Sequence, residues 1–131
     1  MTNKKDLRIP DYLRHILQAI TQIETYAAGV DQTDFFISPL LQDAIIRNIE
    51  IIGEAANNIL RLDGEFDKKY PDMELKAAYA TRNSLSHGYF LVDPILVWGT
   101  IQNDIPILKR QIVDVLKNYA PQQNNGPGQN L

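Results

Sequence analysis

The stripe Ile45, Ile49, Ile52, Ala56 and Ile59 does most to limit what this chain can fold into. Steps of four and three put all five side chains on one side of a helix, a register that the two-residue period of a strand cannot match. Ile46 and Ile51 lie off that stripe. A helix that is apolar on more than one side is buried on more than one side, so this one is either central in a bundle or part of a subunit interface. Asp34 or Ser38 can cap its start and Pro39 suits its first turn. Asp63-Gly64 breaks it after about Leu62.

Three more segments read as helices around it. Residues 9–28 carry Ile9, Leu13, Ile16, Ile20, Ile23 and Ala27 on one seam, with Pro10 in the first turn and Gly29 as the stop. His15 sits beside this seam and reads as a solvated or satisfied side chain, with a functional role as the alternative. Residues 30–38 form a connection whose Phe35 and Phe36 tuck over a bundle end. A helical turn over residues 65–70 leads to Pro71, and the third helix opens at about Asp72 with Leu75, Ala78 and Leu85 on its core face. Asp93-Pro94 then caps a last helix whose seam is Trp98, Ile101, Ile105, Leu108, Ile112, Val115 and Tyr119. Pro106 falls inside that helix and should kink it. From Ala120 onward nothing apolar repeats, and a disordered tail is expected. The expected fold class is all-α: an up-and-down bundle of four long helices plus a short helical turn, with one domain over residues 1–119 and a tail over 120–131.

Composition removes several function classes. The chain of 131 residues can bury one core. It has no cysteine, which excludes disulfides, thiolate catalysis and cysteine-based metal sites. No apolar run follows the basic N-terminal residues and none approaches the ~18 residues of a membrane span, so no signal peptide and no membrane partner are expected, and a cytoplasmic location is the default. A net charge of −3 argues against a broad basic surface for nucleic acid. Any RNA or DNA contact has to be local.

The third helix supplies a local cluster. Tyr79, Arg82, Asn83, Ser86 and His87 form a polar stripe. An arginine fork matches phosphate oxygens and a histidine titrates near neutrality, so Arg82 and His87 suit metal-free chemistry on a phosphodiester. Asn83, one turn from His87, can orient the phosphate or the ring. Arg82 and His87 are five residues apart, about 140° around an ideal helix. They reach one ligand only if the helix ends at His87, which Gly88 would allow, or if two copies of the helix face each other. A two-fold dimer would also supply the second histidine that two proton transfers call for. On the second helix, Arg47, Glu50 and Glu54 are neighbours that form either an ion-pair network or a support for the arginine–histidine cluster. The plainer alternative is that Arg82 pairs with a glutamate of that helix and His87 helps to finish its own.

Arg82-Asn83-x-x-x-His87-x-Tyr89 resembles the R-x4-H-x-Y motif of the HEPN superfamily, in particular its HepT-like branch. The likeness extends through residues 44–56 of the second helix and continues with Val92-Asp93 and Val97-Trp98, covering roughly residues 11–116. It departs at His15, where that branch carries an acidic residue, and in residues 74–81, which lack its tryptophan and glycine-methionine. The resemblance implies a homodimeric helical toxin whose metal-independent endoribonuclease site lies in the dimer groove, with Arg82, His87 and Asn83 catalytic and no cofactor or metal. The substrate would be tRNA or messenger RNA. It also implies a partner, an MNT-type nucleotidyltransferase antitoxin, that neutralises the toxin by AMPylation of Tyr89. A different class remains beside it: a non-catalytic HEPN module that binds nucleotide or a protein partner in the same groove.

Overall fold

A computed structural model of the chain describes residues 4–87 and 93–124, and the side chains of residues 8–85 and 93–119. The elements are α1 (Lys4–Ala27), α2 (Gln32–Phe36), α3 (Pro39–Leu62), α4 (Phe66–Lys69) and α5 (Leu75–His87). After them α6 (Pro94–Gly99) passes through a π-helical segment (Thr100–Asp104) into α7 (Ile105–Asn124). Among the described residues there is no strand. The fold is an all-α bundle with four long rods, α1, α3, α5 and the continuous α6–α7, and two short helices.

α3 is the central rod. It packs against α1 on one side and α5 on another, while α7 returns against α1. Its whole stripe, Ile45 to Ile59, is buried, and Ile46 and Ile51 are half-buried against the same core. The two-sided apolar pattern is therefore satisfied within one chain. α1 meets it with Ile9, Leu13, Ile16, Ile20 and Ile23, all fully buried. Lys109 of α7 clamps Glu24 of α1 at 2.9 Å across the outside.

Local chemistry explains where the helices begin and end. Gly29 ends α1 with φ +73°, a conformation that favours glycine. Ser38 Oγ accepts from Leu41 N at 3.1 Å, so Ser38 caps α3. Asp63 closes it: its buried carboxylate accepts from Glu65 N at 3.0 Å and from Lys69 Nζ at 3.3 Å.

Five elements differ from the sequence expectation. α1 starts at Lys4, so Pro10 lies inside it, and its fully buried ring joins the core at the cost of one hydrogen bond near the helix start. The 30–38 connection contains α2, because Asp31 and Asp34 cap it reciprocally: Asp34 N donates to Asp31 Oδ1 at 2.8 Å and Asp31 N to Asp34 Oδ2 at 3.3 Å. α5 starts at Leu75 rather than at Asp72, after a turn in which buried Met73 accepts from Leu75 N and Gln111 Nε2 donates to Asp72 O at 2.8 Å. The irregularity near Pro106 is the π-helical segment just before it, where the wider turn gives room to a ring that would otherwise meet the preceding turn's carbonyl. α7 runs past Tyr119 to Asn124, and residues 125–131 lie outside the described residues. Among the described residues no helix is long and apolar enough to cross a membrane.

Phe35 is fully buried and meets Trp98 at 5.4 Å between centroids, tying α2 to α6. Phe35→Ala should cost about 3–5 kcal/mol in chemical denaturation. Ile37→Ala, two residues on but 74% exposed, should stay within about 0.5 kcal/mol.

Candidate active site

The site is built on a close approach of two helices. A Cβ placed on Gly53 of α3 would lie 2.2 Å from Arg82 Cβ and 2.8 Å from the carbonyl oxygen of Ala78, both on α5. Real atoms do not approach so closely, so only glycine lets α5 lie this near α3. Arg82 leaves α5 directly over that glycine. Its Nη1 donates to Asn83 Oδ1 at 2.8 Å, and its Nη2 stands 3.7 Å from Glu54 Oε1.

Arg82 thereby enters a groove of about 420 Å³ between α1, α3 and α5. Tyr12 and His15 of α1 line one wall, with the rings edge-on at 5.7 Å between centroids. Arg47, Glu50, Glu54 and Asn58 of α3 line the other at helical spacing, with Ile51 and Ala55 among them. Two guanidiniums face two carboxylates, so the groove of one chain is close to neutral.

The structure places the sequence-derived residues unevenly. Arg82, Arg47, Glu50 and Glu54 come together in the groove. The ion pair that forms crosses from α5 to α3, from Arg82 to Glu54; Glu50 also has an interaction, whereas Arg47 makes no hydrogen bond or ion pair among the described residues. Asn83 is beside Arg82 as its acceptor. Asn48, next to Arg47 on α3, is buried and donates to Ala44 O at 2.9 Å, which makes it part of the scaffold. His87 is the last described residue of α5; its side chain lies outside the described residues, as do Gly88 and Tyr89. His15 is exposed and lines the groove, which its position beside the α1 seam did not reveal. Its three-residue spacing from Tyr12 was the available signal, but it points to a site only once α1 is known to lie along the polar side of α3. Among the described residues no three His, Asp or Glu side chains converge as a metal site.

An all-helical bundle that carries Arg-x4-His on a helix beside such a groove defines a HEPN-type protein. The chain belongs to the HepT-like ribonuclease family: residues 16–115 match the family described as "Ribonuclease HepT-like". A Methanocaldococcus jannaschii protein named "Gamma-glutamylcyclotransferase and putative RNase MJ0434" is 43% identical over 122 residues, 93% of this chain. The chain spans only 53%, about half, of that relative's length. "Probable ribonuclease HepT" of Thermococcus cleftensis is 38% identical over 76% of this chain and 87% of its own length. "Putative RNase TTE0752" of Caldanaerobacter subterraneus is 36% identical over 81% of this chain and 92% of its own. No solved structure matches the chain.

Gly53→Ala sets two effects against each other. Helix propensity improves by about 1 kcal/mol, while overlap with Arg82 Cβ and a backbone carbonyl costs about 1–3 kcal/mol or more. The overlap should win, with a lower melting temperature and denaturation midpoint. Gly64→Ala, where an added methyl meets nothing within 4 Å, should change stability by no more than about 0.5 kcal/mol.

Proposed function

We propose that this chain is a metal-independent endoribonuclease, the toxin of a type VII-like HEPN/MNT toxin–antitoxin pair. The observation that carries the reading is Arg82: a guanidinium held over Gly53 in an open groove, five residues before His87 on the same helix. Its pair with Glu54 is long, and the glutamate is nearly half exposed. Such a pair is worth at most about 1 kcal/mol, so an RNA phosphate can displace it.

In this mechanism the ribose 2′-oxygen loses its proton to an imidazole and attacks the adjacent phosphorus. The P–O5′ bond breaks, and the leaving oxygen takes a proton from an imidazolium. The products are a 2′,3′-cyclic phosphate and a 5′-hydroxyl. Arg82 stabilises the charge on the phosphorane and Asn83 orients Arg82. In a homodimer two copies of α5 face each other and contribute two histidines to one groove, which supplies the acid and the base and reconciles the roughly 140° between residues 82 and 87.

The antitoxin partner is an MNT-type nucleotidyltransferase. Tyr89 Oη attacks the α-phosphorus of ATP, pyrophosphate leaves, and the attached AMP adds bulk and negative charge near His87. Occlusion and like-charge repulsion then oppose RNA binding.

The purified, unmodified protein should cleave RNA in excess EDTA and leave 2′,3′-cyclic phosphate ends. His87→Ala should lower the rate by about 10²-fold or more at unchanged thermal stability. Binding of RNA without cutting, with Tyr89 shown by mass to be unmodified, would instead make the groove a non-catalytic recognition site. With the antitoxin and ATP, intact mass should rise by one or more AMP units. Tyr89→Phe should abolish this rise, and a rise that persists in that variant would sink the assignment of Tyr89.

A further inference from the structure

The chemistry at Arg82 leaves one arm of the groove without a task. His15 and Arg47 both line it, and neither makes a hydrogen bond or ion pair among the described residues. Arg47 precedes Glu54, the partner of Arg82, by seven residues, two turns or about 10 Å along α3. Between them the wall carries Glu50 and the apolar side chain of Ile51, with Ala55 just past Glu54. His15 meets Tyr12 edge-on, and the guanidinium of Arg8 lies 5.5 Å from the centre of the Tyr12 ring, so the histidine stands beside a ring that is itself held.

We propose that this arm is a subsite for the nucleotide adjoining the cleaved phosphodiester of a single-stranded RNA, with His15 and Arg47 as its contact residues. Arg47 takes the next phosphate along the strand, and His15 hydrogen-bonds the sugar or base edge of the nucleotide between the two arginines. Three physical points support this division. A guanidinium without a carboxylate partner is available to a phosphate, and such contacts position a strand without reading its sequence. An imidazole presents two ring nitrogens that can match the edge of a base or a ribose hydroxyl. Glu50, between Arg47 and Glu54 on the same wall, disfavours phosphate in that stretch and leaves it to the uncharged nucleoside. A groove of about 420 Å³ is of a size for one nucleotide rather than a duplex.

The inference rests on the ribonuclease reading for its substrate class, and its test separates the two. Binding of a 2′-O-methyl RNA oligonucleotide, which cannot be cleaved through its 2′-oxygen, is measured by fluorescence anisotropy against salt concentration. Cleavage of the unmethylated RNA is followed in parallel. Arg47→Ala should weaken binding and reduce the slope of log affinity against log salt by about 1. His15→Ala should weaken binding about 3- to 10-fold at unchanged slope, raise KM with kcat nearly unchanged, and shift the distribution of cut positions. Arg14→Ala, whose side chain pairs with Asp11 at 3.0 Å outside this groove, is the control that changes neither. Wild-type affinity, slope and cut positions in both variants would overturn the subsite while leaving the ribonuclease in place. A loss of kcat at unchanged affinity would assign His15 to the chemistry and also overturn it. Salt-dependent RNA binding that needs His15 and Arg47, in a protein that cuts nothing, would uphold the subsite and sink the ribonuclease reading. A wild-type chain that neither binds nor cuts RNA overturns both.

Discussion

The contact between Gly53 of α3 and Arg82 of α5 is the constraint on which the rest of this structure depends. Arg82 Cβ would stand 2.2 Å from any Cβ at position 53, so the distance between the two helices holds only while that position has none. A glycine inside a helix costs about 1 kcal/mol relative to alanine. The buried isoleucines of the same helix offset this, each worth about 1.5–3 kcal/mol as an upper estimate. The close approach also aims the arginine. Its stem crosses α3 at the glycine, so the guanidinium emerges beside Glu54, on the side of α3 that faces α1 and its groove.

The electrostatics of the groove follow from that placement. An acidic chain with net charge −3 has no basic face to spare, and within the groove two arginines are matched by two glutamates. What matters is how the charges are paired. Arg82 is restrained by a long contact to Glu54 and a short one to Asn83, so it is oriented without being consumed by a tight ion pair. Arg47 is not restrained among the described residues. The groove is thus close to neutral, with one poised guanidinium and one that is unengaged among the described residues.

Much of this was legible residue by residue. The Ile45–Ile59 stripe, the α1 seam, the Gly29 stop, the Ser38-Pro39 start and the Asp63 break each depend on neighbours within one or two turns, and each occurs where local spacing put it. The errors arose where a short-range signal competed with another or needed a distant partner. Asp31 and Asp34 had the spacing of a capping box, but five residues of helix hold because Phe35 is buried against Trp98, far along the chain. Pro71 looked like the opening of α5, yet Met73 turns inward and α7 supplies Gln111 to the intervening backbone, so the helix begins later.

By itself the sequence determined an all-helical bundle with a central rod, the family motif Arg82-x4-His87-x-Tyr89, and the lack of any cysteine chemistry, since periodicity, caps and residue types are local properties of the chain. Only the tertiary structure decided that Gly53 seats α5, that Glu54 is the glutamate of α3 that Arg82 pairs with, and that His15 shares a groove with both arginines. These facts depend on the rotation of each helix about its axis and on its distance from its neighbour. Both are set by the packing of three helices at once, and no spacing within a single helix encodes them.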